Sequence, residues 1–272
     1  MRKNLEVLIP TFNRTTALTL TLLSLVYQEE KKFDLIISDQ GSRESPMSNP
    51  SFRTVIRLLE IKGHYVKFIH RKINKGIAEQ RQYLLDKVKA KYCLYLDDDL
   101  ILEKYVLKGL FNVIKKEKCG FVGRAVTGLS FARDKRQDQQ DIEFWREHVE
   151  TEKIMPGDRK WFRFKLHNAA NLYHVEKKMK ISSENQKIYK VAWVGGCVMY
   201  DTLKLRSVGG FEFWKQIPKN HSGEEVYVQL KLMEKYGGCG VIPSGVYHQE
   251  LPTTIKDRSV NIPELLFNGF PY

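Results

Sequence analysis

Three consecutive carboxylates, Asp97, Asp98 and Asp99, directly follow a short apolar run at residues 92–96. Like charges at this spacing raise one another's pKa, so the triplet is costly unless a cation lies beside it. Divalent ions such as Mg²⁺ and Mn²⁺ prefer hard oxygen ligands, and a bound ion can neutralise a leaving diphosphate. At the end of a strand, Asp97 and Asp99 share one side and Asp98 faces away. The alternative is a solvated acidic turn in which Asp99 caps the following helix.

Apolar runs alternate with apolar residues at helical spacing through the first half of the chain. They predict strands at residues 5–9, 34–38, 65–70 and 92–96, and helices at residues 15–28, 52–61, 76–89 and 103–116. Such alternation with short connections is typical of an α/β fold, in which a parallel sheet carries helices on both faces. Ligands of these sheets bind beyond the carboxyl ends of the strands, so the segments that follow the strands should converge with the Asp triplet.

The pattern changes at residues 127–190, which are polar, rich in charge and interspersed with aromatic side chains. We predict one amphipathic helix in this stretch, at residues 138–150. Regular order resumes with an apolar segment at 191–200, a helix at 223–236 and a strand near 239–242.

Lysine and arginine number 45 against 32 aspartates and glutamates, which gives a formal net charge of +13. This balance favours polyanionic partners, such as phosphates and anionic membrane surfaces, although it also serves as a solubilising surface. We find no recognised nucleic-acid motif and predict no nucleic-acid partner. The four cysteines are widely spaced without a CxxC pair. This spacing predicts reduced thiols in the core and no structural zinc site.

Apolar runs in the chain fall well short of the ~20 residues that cross a bilayer. The run at residues 5–9 is too short, and is interrupted too soon by Pro10, to be a signal peptide. We therefore expect a cytoplasmic protein. The basic charge leaves room for peripheral contact with the anionic inner face of the membrane.

Seven short motifs follow one another along the chain. They are Val-Leu-Ile-Pro-Thr-Phe-Asn-Arg at 7–14, Ser-Asp-Gln-Gly-Ser at 38–42, Asn-Lys-Gly-Ile-Ala-Glu-Gln-Arg at 74–81, Tyr-Leu-Asp-Asp-Asp at 95–99, Val-Gly-Gly-Cys-Val-Met at 194–199, Gly-Gly-Phe-Glu at 209–212 and Gly-Glu-Glu at 223–225. In this order they resemble the family 2 glycosyltransferases, which have the GT-A fold. The resemblance covers about residues 5–125 and 190–250.

The resemblance implies a single Rossmann-like GT-A domain over residues 1–272, with a mostly parallel sheet flanked by helices. A nucleotide-sugar-binding half would span 1–123 and an acceptor-side half 124–272, with an insertion at 127–190. The implied reaction is a metal-dependent transfer of a sugar, with inversion at the anomeric carbon, from a nucleotide-sugar donor. A UDP-sugar is the first expected donor. The acceptor would be a hydroxyl group of a glycan, a lipid-linked glycan or a protein.

The family motifs also imply roles for individual residues. The nucleotide-sugar would contact Pro10, Thr11, Asn13, Arg14, Asp39, Asn74, Gly76, Arg81, Asp97 and Asp98. Among these, Asp39 would accept a hydrogen bond from the base. Asp99 and Asp97 would bind Mn²⁺ or Mg²⁺, with His248 as a further metal ligand, whereas Asp98 would not be a ligand.

An inverting transfer needs a general base that deprotonates the acceptor hydroxyl. Family members usually provide an Asp preceded by Glu at the start of a helix, and this chain has Glu224-Glu225 there. Glu225 matches the Asp position and is the first choice, with Glu224 as the second. In a competing interpretation, Ser222 to Glu225 form a capping box in which Glu225 reaches back to the backbone N–H of Ser222.

The aromatic and basic insertion has two interpretations: an acceptor-binding loop, or a surface insertion anchored by an aromatic cluster. Two other functions also remain open for the whole chain. One is a nucleotidyltransferase that makes nucleotide-sugars, although residues 10–14 lack the glycines of its phosphate loop. The other is a non-catalytic glycan-binding module on a GT-A scaffold, which the intact Asp triplet disfavours.

Overall fold

The computed structural model describes residues 3–254, 257 and 259–268. Its strands are β1 (Leu5–Thr11), β2 (Phe33–Gln40), β3 (Val66–Arg71), β4 (Tyr92–Leu96), β5 (Leu100–Leu102), β6 (Phe121–Gly123), β7 (Lys187–Tyr189), β8 (Cys197–Asp201), β9 (Gly238–Ile242) and β10 (Val246–His248). Its α-helices are α1 (Thr15–Val26), α2 (Pro50–Ile61), α3 (Ile77–Lys87), α4 (Val106–Glu117), α5 (Asn171–Met179), α6 (Thr202–Ser207), α7 (Glu224–Tyr236) and α8 (Ile262–Asn268).

Eight strands form one sheet in the order β3-β2-β1-β4-β8-β6-β9-β7. Strand β1 is parallel to β2 and β4, and β2 is parallel to β3, as the alternating pattern predicts. Strand β8 lies antiparallel between β4 and β6, and β7 is antiparallel to β9. The sheet is therefore mixed and mostly parallel in its first half, and it contains strands from both halves of the chain.

Helices cover both faces of this sheet, and the alternation of side chains along β1 explains how. Leu5, Val7 and Ile9 pack in the apolar layer with α1, α2 and α4, whereas Leu8 packs in the opposite layer with α3, α6 and α7. Successive residues of a strand point to opposite faces, so a strand covered on both sides is apolar throughout. The carboxyl ends of β1 and β4 lie between the two layers and open towards the site.

The prediction of a helix at residues 138–150 is wrong. At this stretch the structure has one short 3₁₀ turn, Gln137–Gln139, followed by irregular backbone with bends at residues 146–148. Phe144 forms a β-bridge with Tyr189, and the Trp145 N–H donates to the Ile188 carbonyl at 3.2 Å. Backbone groups that a helix would have paired internally are thus hydrogen-bonded to strand β7. Tertiary pairing therefore overrides the local amphipathic pattern.

The four cysteines, Cys93, Cys119, Cys197 and Cys239, are all buried free thiols, which confirms the prediction of reduced core cysteines. In the described part of the chain, no helix has both the length and the apolar character that crossing a membrane requires.

Candidate active site

An open cavity of about 1080 Å³ lies beyond the carboxyl ends of β1 and β4. It brings together residues from motifs that are far apart in the chain. The predicted site residues that line it are Pro10, Thr11, Arg14, Asn74, Gly76, Arg81, Asp97, Asp98, Asp99, Glu224, Glu225 and His248. The parallel strands deliver these segments to one edge of the sheet, as the topology requires.

The three aspartates of the triplet have different environments. The Asp97 side chain is 42% exposed, whereas that of Asp98 is 8% exposed. Asp98 accepts a hydrogen bond from the Thr11 hydroxyl at 2.5 Å, so it turns away from the cavity centre and towards β1. Burial raises the pKa of Asp98 to about 6, against the opposing effects of Thr11 and the Arg14 guanidinium.

Asp99 lies between two cationic partners. Its Oδ2 is 3.3 Å from His248 Nε2 and also accepts a close hydrogen bond from Arg14 Nη1. Although burial alone would raise it, the pKa of Asp99 is held below its ordinary value by His248 and Arg14. The hydrogen bond to Asp99 in turn raises the pKa of His248. Strand β10 carries His248 to this place because it pairs with β5, which follows the triplet.

Arg81 is the central cation on the other side of the cavity. It lies on α3, its side chain is 4% exposed, and it faces three carboxylates. Arg81 Nη2 is 3.3 Å from Asp97 Oδ1, Nε is 3.1 Å from Glu224 Oε1, and Nη1 is 2.8 Å from Glu225 Oε1. Burial raises the pKa of Glu225 to about 8, although Arg81 acts in the opposite direction. The raised pKa brings the proton loss of Glu225 closer to neutral pH than that of an ordinary glutamate.

Helix α7 begins without the predicted capping box, and that interpretation is wrong. Its N-cap is Gly223, in the left-handed region at φ 82°, and no side chain caps the first turn. The Ser222 N–H donates to the Val260 carbonyl at 2.9 Å instead. Glu225 lies in the cavity instead, with its Oε1 2.8 Å from Arg81 Nη1.

The loop before α7 is fastened to the segment before α3. A β-carbon at Gly76, which has φ +99°, would lie 2.6 Å from the Lys219 carbonyl oxygen, so only glycine allows this approach. His221 is buried, and its Nε2 accepts a hydrogen bond from the Ala78 N–H at 3.3 Å. These contacts fix the distance between Arg81 on α3 and the acidic pair on α7.

Two predicted nucleotide contacts, Asn13 and Asp39, lie behind the cavity wall. The Asp39 carboxylate is fully buried, with Oδ2 2.7 Å from His70 Nδ1 and Oδ1 accepting from the Ser42 hydroxyl. Asn13 adopts φ 54°, and its N–H donates to the same hydroxyl at 2.7 Å. In this structure both residues support the turn after β1 and do not line the cavity.

An aromatic wall of the cavity was only partly visible in the sequence. Trp161, Phe164 and His167 come from the insertion, and Trp193 completes the wall. The rings of Phe164 and Trp193 stack with centroids 6.0 Å apart and an interplanar angle of 16°. Burial lowers the pKa of His167 to about 4, so this ring is neutral and pairs with the Tyr189 hydroxyl at 3.0 Å. For Trp193, the one sequence signal of a place in the cavity wall is its position in an apolar run, three residues before Gly196.

The predicted metal ligands are partly assembled. Within residues 3–254, 257 and 259–268, no three His, Cys, Asp or Glu side chains form a cluster that could hold a metal ion. Asp99 and His248 are adjacent, and a carboxylate beside an imidazole suits Mn²⁺. In this structure Arg14 supplies the positive charge at Asp99, and Asp99 with His248 gives two of the donors that a divalent ion would use.

The profile of glycosyl transferase family 2 matches residues 6–172, which is more than half of the chain. The chain belongs to glycosyl transferase family 2. Among curated proteins, it is 32% identical over 123 residues to the poly(ribitol-phosphate) β-N-acetylglucosaminyltransferase TarP of Staphylococcus aureus, covering 44% of this chain and 36% of TarP. It is 28% identical over 150 residues to the GalNAc(5)-diNAcBac-PP-undecaprenol β-1,3-glucosyltransferase of Campylobacter jejuni, covering 51% of this chain and 47% of that enzyme.

Solved structures of the GT-A class share the fold of this family 2 chain. TarS 1–349 from S. aureus superposes with a TM-score of 0.57 at 15% identity, covering 90% of this chain and 60% of TarS 1–349. The mannosyltransferase PcManGT of Pyrobaculum calidifontis, solved with GDP-Man and Mn²⁺, has a TM-score of 0.57 at 14% identity, covering 94% of this chain and 59% of PcManGT. The chain aligns with less than half of each curated relative, and the likeness to the solved structures shows the GT-A fold.

Proposed function

We propose that this protein transfers a sugar from a nucleotide-sugar donor, first of all a UDP-sugar, to a hydroxyl group of a glycan acceptor. The observation that carries the proposal is the cavity itself. Asp97, Asp99, Arg81 and Glu225 come from three separate motifs of a family 2 chain and line one open space beyond the strand ends. The donors in relatives of the same fold, UDP-GlcNAc in TarS and GDP-Man in PcManGT, support this class of donor.

The donor would lie along β1 and the triplet. Asp99 and His248 would hold Mn²⁺ or Mg²⁺, with Asp97 as the further carboxylate. When bound, the ion acts as a Lewis acid that stabilises the leaving diphosphate. Arg14 contacts Asp98 and Asp99, and it would turn to the phosphate oxygens, since a guanidinium binds phosphate with two parallel hydrogen bonds.

Glu225 would act as the general base. Deprotonation of an acceptor hydroxyl by a positioned carboxylate works best when the pKa of the base lies near the working pH. The pKa of Glu225, about 8, meets this condition, and Arg81 at 2.8 Å fixes the carboxylate in the cavity. Attack from this side, opposite the leaving diphosphate, would invert the anomeric carbon. Glu224 is the second choice for the base.

The acceptor sugar would lie against the aromatic wall of Trp161, Phe164, His167 and Trp193. Flat aromatic faces in a concave site bind apolar sugar faces, and a few polar groups then fix their orientation. TarP and the C. jejuni enzyme are named for transfer to a poly(ribitol-phosphate) and to an undecaprenol-linked glycan, which supports a polymeric or lipid-linked acceptor.

Release of UDP from UDP-sugars, with and without Mn²⁺, tests the proposal first, because active transferases slowly hydrolyse their donor. Metal-dependent UDP release excludes a pure binding module, whereas pyrophosphate formation from UTP and a sugar phosphate would identify a nucleotidyltransferase. Glu225→Gln should lower the turnover at least about 100-fold, the usual contribution of a general base. Glu224→Gln, the matched control, should retain most of it. Near wild-type turnover of Glu225→Gln would exclude Glu225 as the base.

A further inference from the structure

A second cavity, of about 420 Å³, opens on the insertion between the 3₁₀ turn Gln137–Gln139 and helix α5. We call it the Lys177 pocket. It is lined by Ala132, Lys135, Gln137, Gln140, Tyr173, His174, Lys177 and Lys178. None of the described residues that line it is acidic, whereas three are lysines. The pocket therefore has the charge and the amide groups that bind an anion with several oxygens.

Glu176 and Asp134, which are close to the pocket in sequence, have partners elsewhere, whereas Asp138 and Asp141 stand beside the lining residues Gln137 and Gln140 but do not line the pocket themselves. Glu176 is the one acidic residue of α5, and it accepts a hydrogen bond from the Ser244 N–H at 2.7 Å. Asp134 pairs with Arg136 at 2.6 Å. Among the ion pairs of the described residues, none involves Lys135, Lys177 or Lys178. Lys177 Nζ lies over the Tyr173 ring, 4.4 Å from its centroid, and none of the three ammonium groups has a carboxylate partner among the described residues.

His174 provides a second and independent sign of a ligand. Its Nε2 is buried and has no hydrogen-bond partner in the described structure, although the residue lines the pocket. A buried polar atom without a partner costs free energy that a bound acceptor oxygen would recover. Histidine can donate from either ring nitrogen, so a phosphate oxygen in the pocket would satisfy this atom.

A hydrogen-bonded link joins the Lys177 pocket to the main cavity. Gln139 Oε1 accepts from Asn168 Nδ2 at 3.1 Å and from Asn171 Nδ2 at 3.4 Å, and Asn168 lines the main cavity. Helix α5 starts at Asn171 and, at about 1.5 Å per residue, carries Lys177 roughly 9 Å further along its axis. The Lys177 pocket thus lies on a helix whose start is hydrogen-bonded, through Gln139, beside the wall of the main cavity.

We infer that the Lys177 pocket binds a phosphate group carried by the acceptor, a short distance from the hydroxyl that receives the sugar. This inference rests on the proposed function, and it assigns the acceptor to the class of phosphate-bearing chains. The competing explanation is that Lys177 and Lys178 only complement the carboxyl end of α5. Helix α4 provides a control for this, because Lys115 and Lys116 occupy its last turn and it ends, like α5, at a lysine with φ 52°.

The test follows the His174 ring in the full chain by proton NMR while inorganic phosphate is added. UDP and Mg²⁺ are present in excess so that phosphate cannot enter the donor site, and His174→Gln identifies the resonance. Phosphate should shift the His174 signal saturably. The double variant Lys177→Gln/Lys178→Gln should weaken the apparent Kd at least about fivefold, since exposed charge contacts contribute modestly. The matched pair Lys115→Gln/Lys116→Gln should leave the Kd unchanged.

Absence of a saturable His174 shift in the wild type would overturn the inference, as would equal weakening in both double variants. Co-sedimentation with phosphatidylglycerol vesicles separates an acceptor phosphate from a lipid headgroup. We expect equal vesicle binding of the two double variants, and selective loss in Lys177→Gln/Lys178→Gln would reassign the pocket to the membrane. Donor hydrolysis, measured on the same samples, tests the proposed function separately, since phosphate binding does not depend on it.

Discussion

Replacing Arg81 by Gln removes the cation that faces Asp97, Glu224 and Glu225. The glutamates are the critical partners, because their side chains are only 9% and 12% exposed, whereas that of Asp97 is 42% exposed. Removing one partner of a buried ion pair costs about 3–5 kcal/mol, since the remaining charge is uncompensated. At about 2–3 °C per kcal/mol for a chain of this size, the midpoint of thermal unfolding should fall by about 6–15 °C.

The pH dependence of this loss is the sharper part of the prediction. Burial has already raised the pKa of Glu225 to about 8, and loss of Arg81 raises it further. A carboxyl group whose pKa is raised in the folded state contributes stability at low pH that is lost as the pH rises. The deficit of Arg81→Gln relative to the wild type should therefore grow between pH 6 and pH 9.

Thermal unfolding followed by circular dichroism across this pH range measures the deficit. Arg71→Gln is the matched control, because Arg71 pairs with one carboxylate, Glu79, at 2.6 Å outside the main cavity. Its deficit should be smaller and nearly constant from pH 6 to pH 9. An Arg81→Gln midpoint within about 2 °C of the wild type at pH 8, or a deficit independent of pH, would refute the reasoning.

Three further outcomes follow from the site. Wild-type kcat/KM should rise with pH to a plateau with a midpoint near 8, because Glu225 must lose its proton to act as a base, and this rise should be absent from the residual activity of Glu225→Gln. Arg14→Gln should bind Mn²⁺ more tightly by electron paramagnetic resonance, since Arg14 no longer competes for Asp99; weaker binding would show that Arg14 helps to form the metal site. Gly196→Ala should lower the unfolding midpoint, because the new methyl group would lie 2.6 Å from a Val126 methyl carbon at a φ of +80°; an unchanged midpoint would contradict this clash.

Regular elements of the first half could be predicted from the sequence because hydrophobic periodicity there is a local property. The strands predicted at residues 5–9 and 92–96 correspond to β1 and β4, and the helices predicted at 52–61 and 103–116 correspond to α2 and α4. The order of these elements also implied that the segments after the strands meet at one edge. Most of the predicted site residues line the cavity for this reason, whereas Asn13 and Asp39 do not and the aromatic wall was not predicted.

Only the tertiary structure decided how the polar side chains at that edge pair. The predicted capping box was locally reasonable, but in the folded chain Glu225 lies 2.8 Å from Arg81, which is far away in sequence. Similarly, the helix predicted at 138–150 gave way to pairing with β7, which lies about forty residues further along the chain. Local pattern records the preferences of a segment in isolation, whereas the energy of a buried charge or an unpaired edge depends on neighbours from elsewhere.

The Asp triplet illustrates the difference between what the sequence determines and what the tertiary structure determines. From the sequence alone we could infer that three carboxylates at a strand end need a cation, because charge repulsion depends on their spacing alone. The tertiary structure assigned a different partner to each: Arg81 to Asp97, Thr11 to Asp98, and His248 with Arg14 to Asp99. These partners come from strands and helices that meet only in the folded chain, and no local spacing could have specified them.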